Sequence, residues 1–227
     1  MIPRTALHIC TLIAAVLLAL AITAVVVTDP GEEAPRILFL HIPAAIATFL
    51  ACGVVFVASI GQLLQNRPLW DRLAESAGIA AVVACTILLL TGMIWGKEAW
   101  GEWWTWSPRL TFSLVLWVLY AGFVGLRPFL PLASRARVSC VYGIIAFLDV
   151  PMVYMSVKIL PDVHPASIPM DGSMKRTLLL CIAAGVLAAG WGILVKLAGP
   201  GRAASAPTSE PDATSLPAPR TPPTVVH

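Results

Sequence analysis

Apolar residues fall into six long blocks along this chain, separated by short polar or proline-rich stretches. Each block is close to the roughly 20 residues that a helix needs to cross a bilayer. The first, Leu7–Val27, suits an uncleaved membrane helix, with a cleaved signal sequence as the alternative. The second runs from Arg36 to Leu64, with Pro43 read into its first turn, where a missing N–H costs nothing. The third spans about Gly78–Ile94 and the fourth Arg109 to about Leu126, entered through Ser107 as N-cap and Pro108 as first helical residue. The fifth covers about Val138–Ile159 and should be kinked by Pro151. The sixth is about Met174–Leu197. The fold class predicted is an all-α membrane protein of six transmembrane helices.

Beyond about residue 198 the pattern changes. Residues 199–227 are rich in Pro, Ala, Ser and Thr without apolar periodicity, so the reading is a six-helix domain over 1–198 and a disordered tail over 199–227. Composition agrees: 58% of the 227 residues are hydrophobic and 12% charged, against about 25% charged in soluble domains. The net charge of +3 says little about partners, and without a basic stripe interleaved with aromatics there is no nucleic-acid footprint. Cys10, Cys52, Cys85, Cys140 and Cys181 each lie in an apolar run with no CxxC, which argues for small packing residues and against disulfides, zinc or covalent haem attachment.

Six spans put both ends on one side. Arg127, Arg135 and Arg137 share a connection with no acid in it. Arg4, Arg67, Arg72, Lys196, Arg202 and Arg220 fall on the same side, against Arg36, Lys97, Arg109, Lys158, Lys175 and Arg176 opposite. The positive-inside rule then places both termini in the cytoplasm. The acidic loop at 29–35, the loop between spans three and four, and the proline-rich loop after span five face outward.

The loop between spans three and four, WGKEAWGEWWTWSPRLT, holds five of the eight tryptophans: Trp95, Trp100, Trp103, Trp104 and Trp106. An interfacial aromatic belt is one account of them. A floor for a large planar ligand is the other, since indole offers a broad face and one donor. Of the four histidines, His8 and His227 lie on the inner side, while His41 and His164 lie on the outer side. Either outer histidine alone could be an interfacial residue bonded to water. Together, two imidazoles, five indoles and the cations Arg36, Lys97 and Arg109 supply what a porphyrin needs: axial ligands, aromatic contacts and partners for its carboxylates.

RILFLHIPAA around His41 and WGEWWTWSPRLT together resemble the tryptophan-rich (WWD) haem-handling membrane proteins of cytochrome c maturation, and among them the haem exporter protein C family, CcmC. The resemblance covers about residues 1–197. It implies a non-enzymatic haem b carrier in the cytoplasmic (inner) membrane, with its site facing the periplasm. It implies His41 and His164 as axial ligands, with the segment from Trp100 to Arg109 against the macrocycle. It also implies a periplasmic haem chaperone of the CcmE type, ABC transporter subunits of the CcmA and CcmB type and a single-span CcmD-type subunit as partners, besides membrane lipid.

Two departures stand out. The family pattern carries an acid where this chain has Ser107, and SVKILPDVHP before His164 lacks the aromatic pair and TLHQ-like ending expected there. Asp149, deep in span five, is either a polar cavity lining or a packed, protonated residue beside Pro151. Two other function classes compete. A haem b electron-transfer anchor would place its histidines within spans and towards both leaflets. A small-solute permease would show broken helices and polar groups near the midplane.

Overall fold

The computed structural model describes residues 4–28, 36–160, 163–165 and 168–199. The acidic loop at 29–35 and the predicted tail from 200 onward lie outside the described residues. Helix α1 runs Arg4–Val27, α2 Leu38–Gln65, α3 Pro68–Trp100, α4 Pro108–Leu126, α5 Leu132–Ala146, α6 Asp149–Ile159 and α7 Gly172–Ala198, with a 3-10 turn over Arg127–Phe129. Among the described residues six segments are long and apolar enough to cross a membrane, α5 and α6 together making one of them. No strand occurs among the described residues.

Side chains of α2 and α3 explain why these two form the most extensive helix pair. Ala44, Ala51 and Ala58 recur at every second turn of α2, and Ala74, Ala77, Ala81 and Ala84 line α3, all buried. Lipid is as apolar as leucine, so helices in a bilayer gain by close backbone approach, which small residues permit. Gly78 is one point of such approach: a Cβ there would stand 2.7 Å from the Phe123 ring of α4. Large apolar side chains point outward instead, among them Leu18, Leu50, Leu90, Val118 and Leu179. The central core joins α2 to α6 around Val55, Leu116, Tyr120 and Phe123. A second cluster packs Ala21 of α1 and Leu38 and Phe39 of α2 against Met174, Cys181 and Ala184 of α7. All five cysteines are free thiols, four of them buried, as packing residues should be.

The structure moves several predicted boundaries. Helix α3 is 33 residues long; it absorbs most of the predicted polar connection before it and carries Trp95 and Trp100 on its last turns. The loop proper is therefore only 101–107. Pro43 is not in the first turn of its helix but inside α2, which begins at Leu38. Gly185 of α7 makes room there, a Cβ on it falling 3.2 Å from Pro43. Ser107 occupies the N-cap position of α4 with Pro108 after it, but its hydroxyl makes no capping bond. Span five does more than kink. Its helix breaks at Phe147 and Leu148, where Leu148 and Val150 bond back only three residues, to Ile145 and Phe147. Pro151 lacks the N–H that would bond Phe147, and its ring clashes with that carbonyl, so the fault appears four residues upstream.

Beyond the break the neighbours change. α5 packs on α2 and α4, whereas α6 packs chiefly on α4. That leaves space between α6 and α2 at the end of the bundle where α2 begins.

Candidate functional site

Four helices and two loops surround that space. Its walls are His41, Ile42, Ile46 and Phe49 of α2, Leu88, Leu89 and Trp95 of α3, Arg109 of α4, Val153 of α6 and His164 of the following loop, among others. The empty volume is about 820 Å³, counting the part open to the outside. Phe49 lies two turns below His41, so the cavity runs about 12 Å into the bundle at 1.5 Å per residue.

The two histidines, far apart in sequence, meet across it. Their ring centroids are 6.3 Å apart with planes 28° from parallel.

His41 is held at Nδ1 by Thr91 Oγ1, 2.9 Å away. Thr91 in turn donates its hydroxyl proton into its own helix, to Ile87 O at 2.7 Å or Leu88 O at 3.0 Å. His164 sits differently. Its Nδ1 lies 3.2 Å from the Arg109 guanidinium and 3.0 Å from the Pro165 carbonyl. A guanidinium only donates and a carbonyl only accepts. The first contact needs a lone pair on Nδ1 and the second needs a proton, so they are alternatives. One neutral tautomer satisfies Arg109; the other satisfies Pro165.

Among the tryptophans the structure divides the labour. Trp95 packs edge-on to His164 at 5.7 Å and leans on Trp100 at 5.3 Å. Trp95, Trp100 and Trp104 line the cavity. Trp104 Nε1 is buried and, among the described residues, has no hydrogen-bond partner. Trp106 packs against Trp104 at 5.8 Å. Trp106 and Trp103 are themselves exposed and lie outside the cavity walls.

Of the predicted cations, Arg109 is a wall residue. Lys97 instead donates to Gly101 O at 2.7 Å, closing the end of α3, and Arg36 is exposed in the turn before α2. Asp149 is buried at the break, its Oδ2 unpartnered among the described residues, and it is not one of the cavity walls.

Thr91 and Gly92 are the residues that the sequence reading passed over. A Cβ on Gly92 would come 3.2 Å from His41 Cε1, so glycine leaves the ring its place. Both sit in an unbroken apolar block, fifty positions from the histidine they serve, and nothing local marks them.

A chemical test of the cavity is whether it suits a haem. It offers two imidazoles close together, an aromatic and aliphatic lining, one guanidinium and one buried indole N–H that has no partner among the described residues. Iron, macrocycle and carboxylates each find a matching group. Comparison with known proteins agrees. The protein-family model described as heme exporter protein C matches residues 2–199. Heme exporter protein C of Bradyrhizobium diazoefficiens is 33% identical over 149 residues, 64% of this chain and 57% of that protein. Heme exporter protein C of Escherichia coli K12 is 35% identical over 145 residues, 63% of this chain and 59% of that protein. A cytochrome c biosynthesis ccmC-like mitochondrial protein of Marchantia polymorpha is 30% identical over 146 residues, covering 64% and 62%. The chain thus spans about three fifths of the length of these curated relatives. The family match itself takes in all six spans and every wall of the cavity, and on that ground the chain belongs to the heme exporter protein C family.

Proposed function

We propose that this protein carries haem for cytochrome c maturation, holding it at the outer face of the cytoplasmic membrane and presenting it to a periplasmic acceptor. The observation that carries the reading is the approach of His41 and His164 to 6.3 Å across a cavity walled by indoles. Both histidines stand at one end of the bundle, which favours a carrier over an electron-transfer anchor with ligands towards both leaflets.

Haem b brings an iron with two axial positions, a flat apolar macrocycle and two carboxylates. His41 and His164 would be the residues that hold its iron. Trp95, Trp100 and Trp104 lie against the macrocycle, and Ile42, Ile46, Phe49, Leu88, Leu89 and Val153 keep water from it. Arg109 and the Trp104 N–H receive carboxylate. When Arg109 turns from His164 to a carboxylate, His164 Nδ1 is left to donate to Pro165 O. Its other nitrogen then carries the lone pair that a metal requires, so binding at the mouth and ligation by His164 support each other.

Release would use the same exchange of partners. His164 is on a loop, and as it leaves the metal Nε2 would take a proton while Nδ1 gives one up, so the ring stays neutral and offers Arg109 its lone pair again. The partners that the reading implies are a chaperone of the CcmE type, transporter subunits of the CcmA and CcmB type and a small CcmD-type subunit. Trp103, Trp106, Lys97 and Arg36 are exposed near that end and available to lipid headgroups or to the acceptor. The role is that of scaffold and ligand exchanger rather than bond-making enzyme.

The test is an absorbance spectrum of the purified chain. Wild type should show a low-spin, two-histidine haem; His41→Ala and His164→Ala should each lose it. Unchanged spectra in both variants would refute the proposal.

A further inference from the structure

We propose that Thr91 is a positioning residue that fixes the proton of His41 on Nδ1 and so keeps the opposite nitrogen available for iron. The proposal rests on the reading of His41 as an iron ligand and adds the reason why that ring is always in the competent state.

One proton decides which tautomer His41 adopts. A threonine hydroxyl has a single hydrogen and two lone pairs. In α3 that hydrogen is committed to the helix, since Thr91 Oγ1 lies 2.7 Å from Ile87 O and 3.0 Å from Leu88 O. What Thr91 turns to His41 Nδ1, at 2.9 Å, is therefore a lone pair. The imidazole must be the donor there. In a neutral ring the proton on Nδ1 leaves Nε2 unprotonated, which is the form a metal binds. Thr91 is 6% exposed, so water is poorly placed to substitute for it. Gly92, in the neighbouring position, leaves the ring the space to make this contact: a Cβ there would come 3.2 Å from His41 Cε1. Thr91 thus selects one of the two neutral tautomers.

At His164 the geometry differs: Arg109 and Pro165 ask opposite things of the same nitrogen. The two ligands are accordingly unequal. His41 is the retained one, set by a helix, and His164 the exchangeable one, set by a loop and by what Arg109 is holding.

The experiment uses the full chain purified in detergent and titrated with haemin, with affinity and midpoint potential as readouts. Loss of an outer partner to a metal-bound histidine typically weakens binding about 10–100-fold. Thr91→Val should show that loss. It should also raise the midpoint potential, since an imidazole without an acceptor on its N–H is less basic and supports ferric iron less well. Thr91→Ser keeps the oxygen and should restore both values. Thr91→Ala, which adds no atom, serves if the valine variant does not fold. A merely structural role would lower the melting temperature of the haem-free protein and leave the potential alone. If His41→Ala abolishes the two-histidine spectrum while Thr91→Val and Thr91→Ala keep wild-type affinity and potential, this proposal is overturned and the ligand assignment stands. If His41→Ala leaves the spectrum intact, the ligand assignment itself fails.

Discussion

Trp104 shows how unequal five similar residues become once placed. Its indole N–H is buried at the cavity wall without a protein partner among the described residues, whereas Trp103 and Trp106 are 56% and 75% exposed. A buried donor facing a carboxylate makes a charge-assisted hydrogen bond of about 1.5–3 kcal/mol. Trp104→Phe keeps an aromatic face and removes only that donor. Haem affinity should fall by roughly tenfold or more, with the two-histidine spectrum intact, as a haemin titration would show. Trp103→Ala should have the smaller effect on the same measurement. A sequence can display the crowding of indoles in WGKEAWGEWWTWSPRLT, but not which of them turn inward. All five carry the same side chain, and their separation into wall and surface depends on how α3 ends and α4 begins. Ser107 makes the same point. Its place ahead of Pro108 marks the helix start correctly, yet the hydroxyl makes no cap bond. The αR-disfavouring effect of the proline fixes the boundary by itself.

At the scale of elements, the break between α5 and α6 matters most for the site. The apolar block gave one continuous span, and Pro151 gave a kink within it. What the block conceals is where the fault falls, because a proline's missing bond and steric clash act on the carbonyl four residues earlier. The break frees α6 from α2 and places Val153 at the cavity wall. Pro151→Ala should let the helix close across Phe147 and Leu148. We expect unchanged or slightly higher helix content by circular dichroism, together with weaker haem binding, since the wall contributed by α6 would shift. A loss of helix in this variant would show that the break has some other cause. The long α3 was illegible for a related reason. Its last turns carry Lys97 and Glu98, which end an apolar block but not a helix. A helix can run past the bilayer so long as its carbonyls are satisfied, and Lys97 does that for Gly101.

The whole molecule is held at the opposite end from the cavity by a buried cation. Arg127 is 5% exposed, with its Nη2 2.9 Å from both Asp71 carboxylate oxygens and 3.7 Å from Glu75. Its guanidinium also lies 5.8 Å from the Phe123 ring centre. The connection in which it sits reads as all-arginine, so the sequence suggested an unopposed positive cluster. Its acids come instead from the start of α3, 56 positions earlier. Truncating one partner of a buried pair costs about 3–5 kcal/mol, and exposed pairs far less. Asp71 and Glu75 are 22% and 33% exposed at the side chain, so Arg127→Ala should cost about 2 kcal/mol. The expected outcome is a lower melting temperature with an unaltered haem spectrum. A changed spectrum would mean that the two ends of the bundle are coupled.

Much of this protein was settled by hydropathy alone. Six blocks of about twenty apolar residues have no stable home except across a bilayer, because backbone polar groups in lipid must be satisfied within the helix. The residue types that meet at the cavity, two histidines with indoles and an arginine, were also legible in composition and order. Only the tertiary structure decided which of those groups share one hollow, that Thr91 stands behind His41, and that Lys97, Trp103 and Trp106 stand outside. Those outcomes depend on where helices end and how closely they pack, and both are fixed by contacts between residues far apart in the chain.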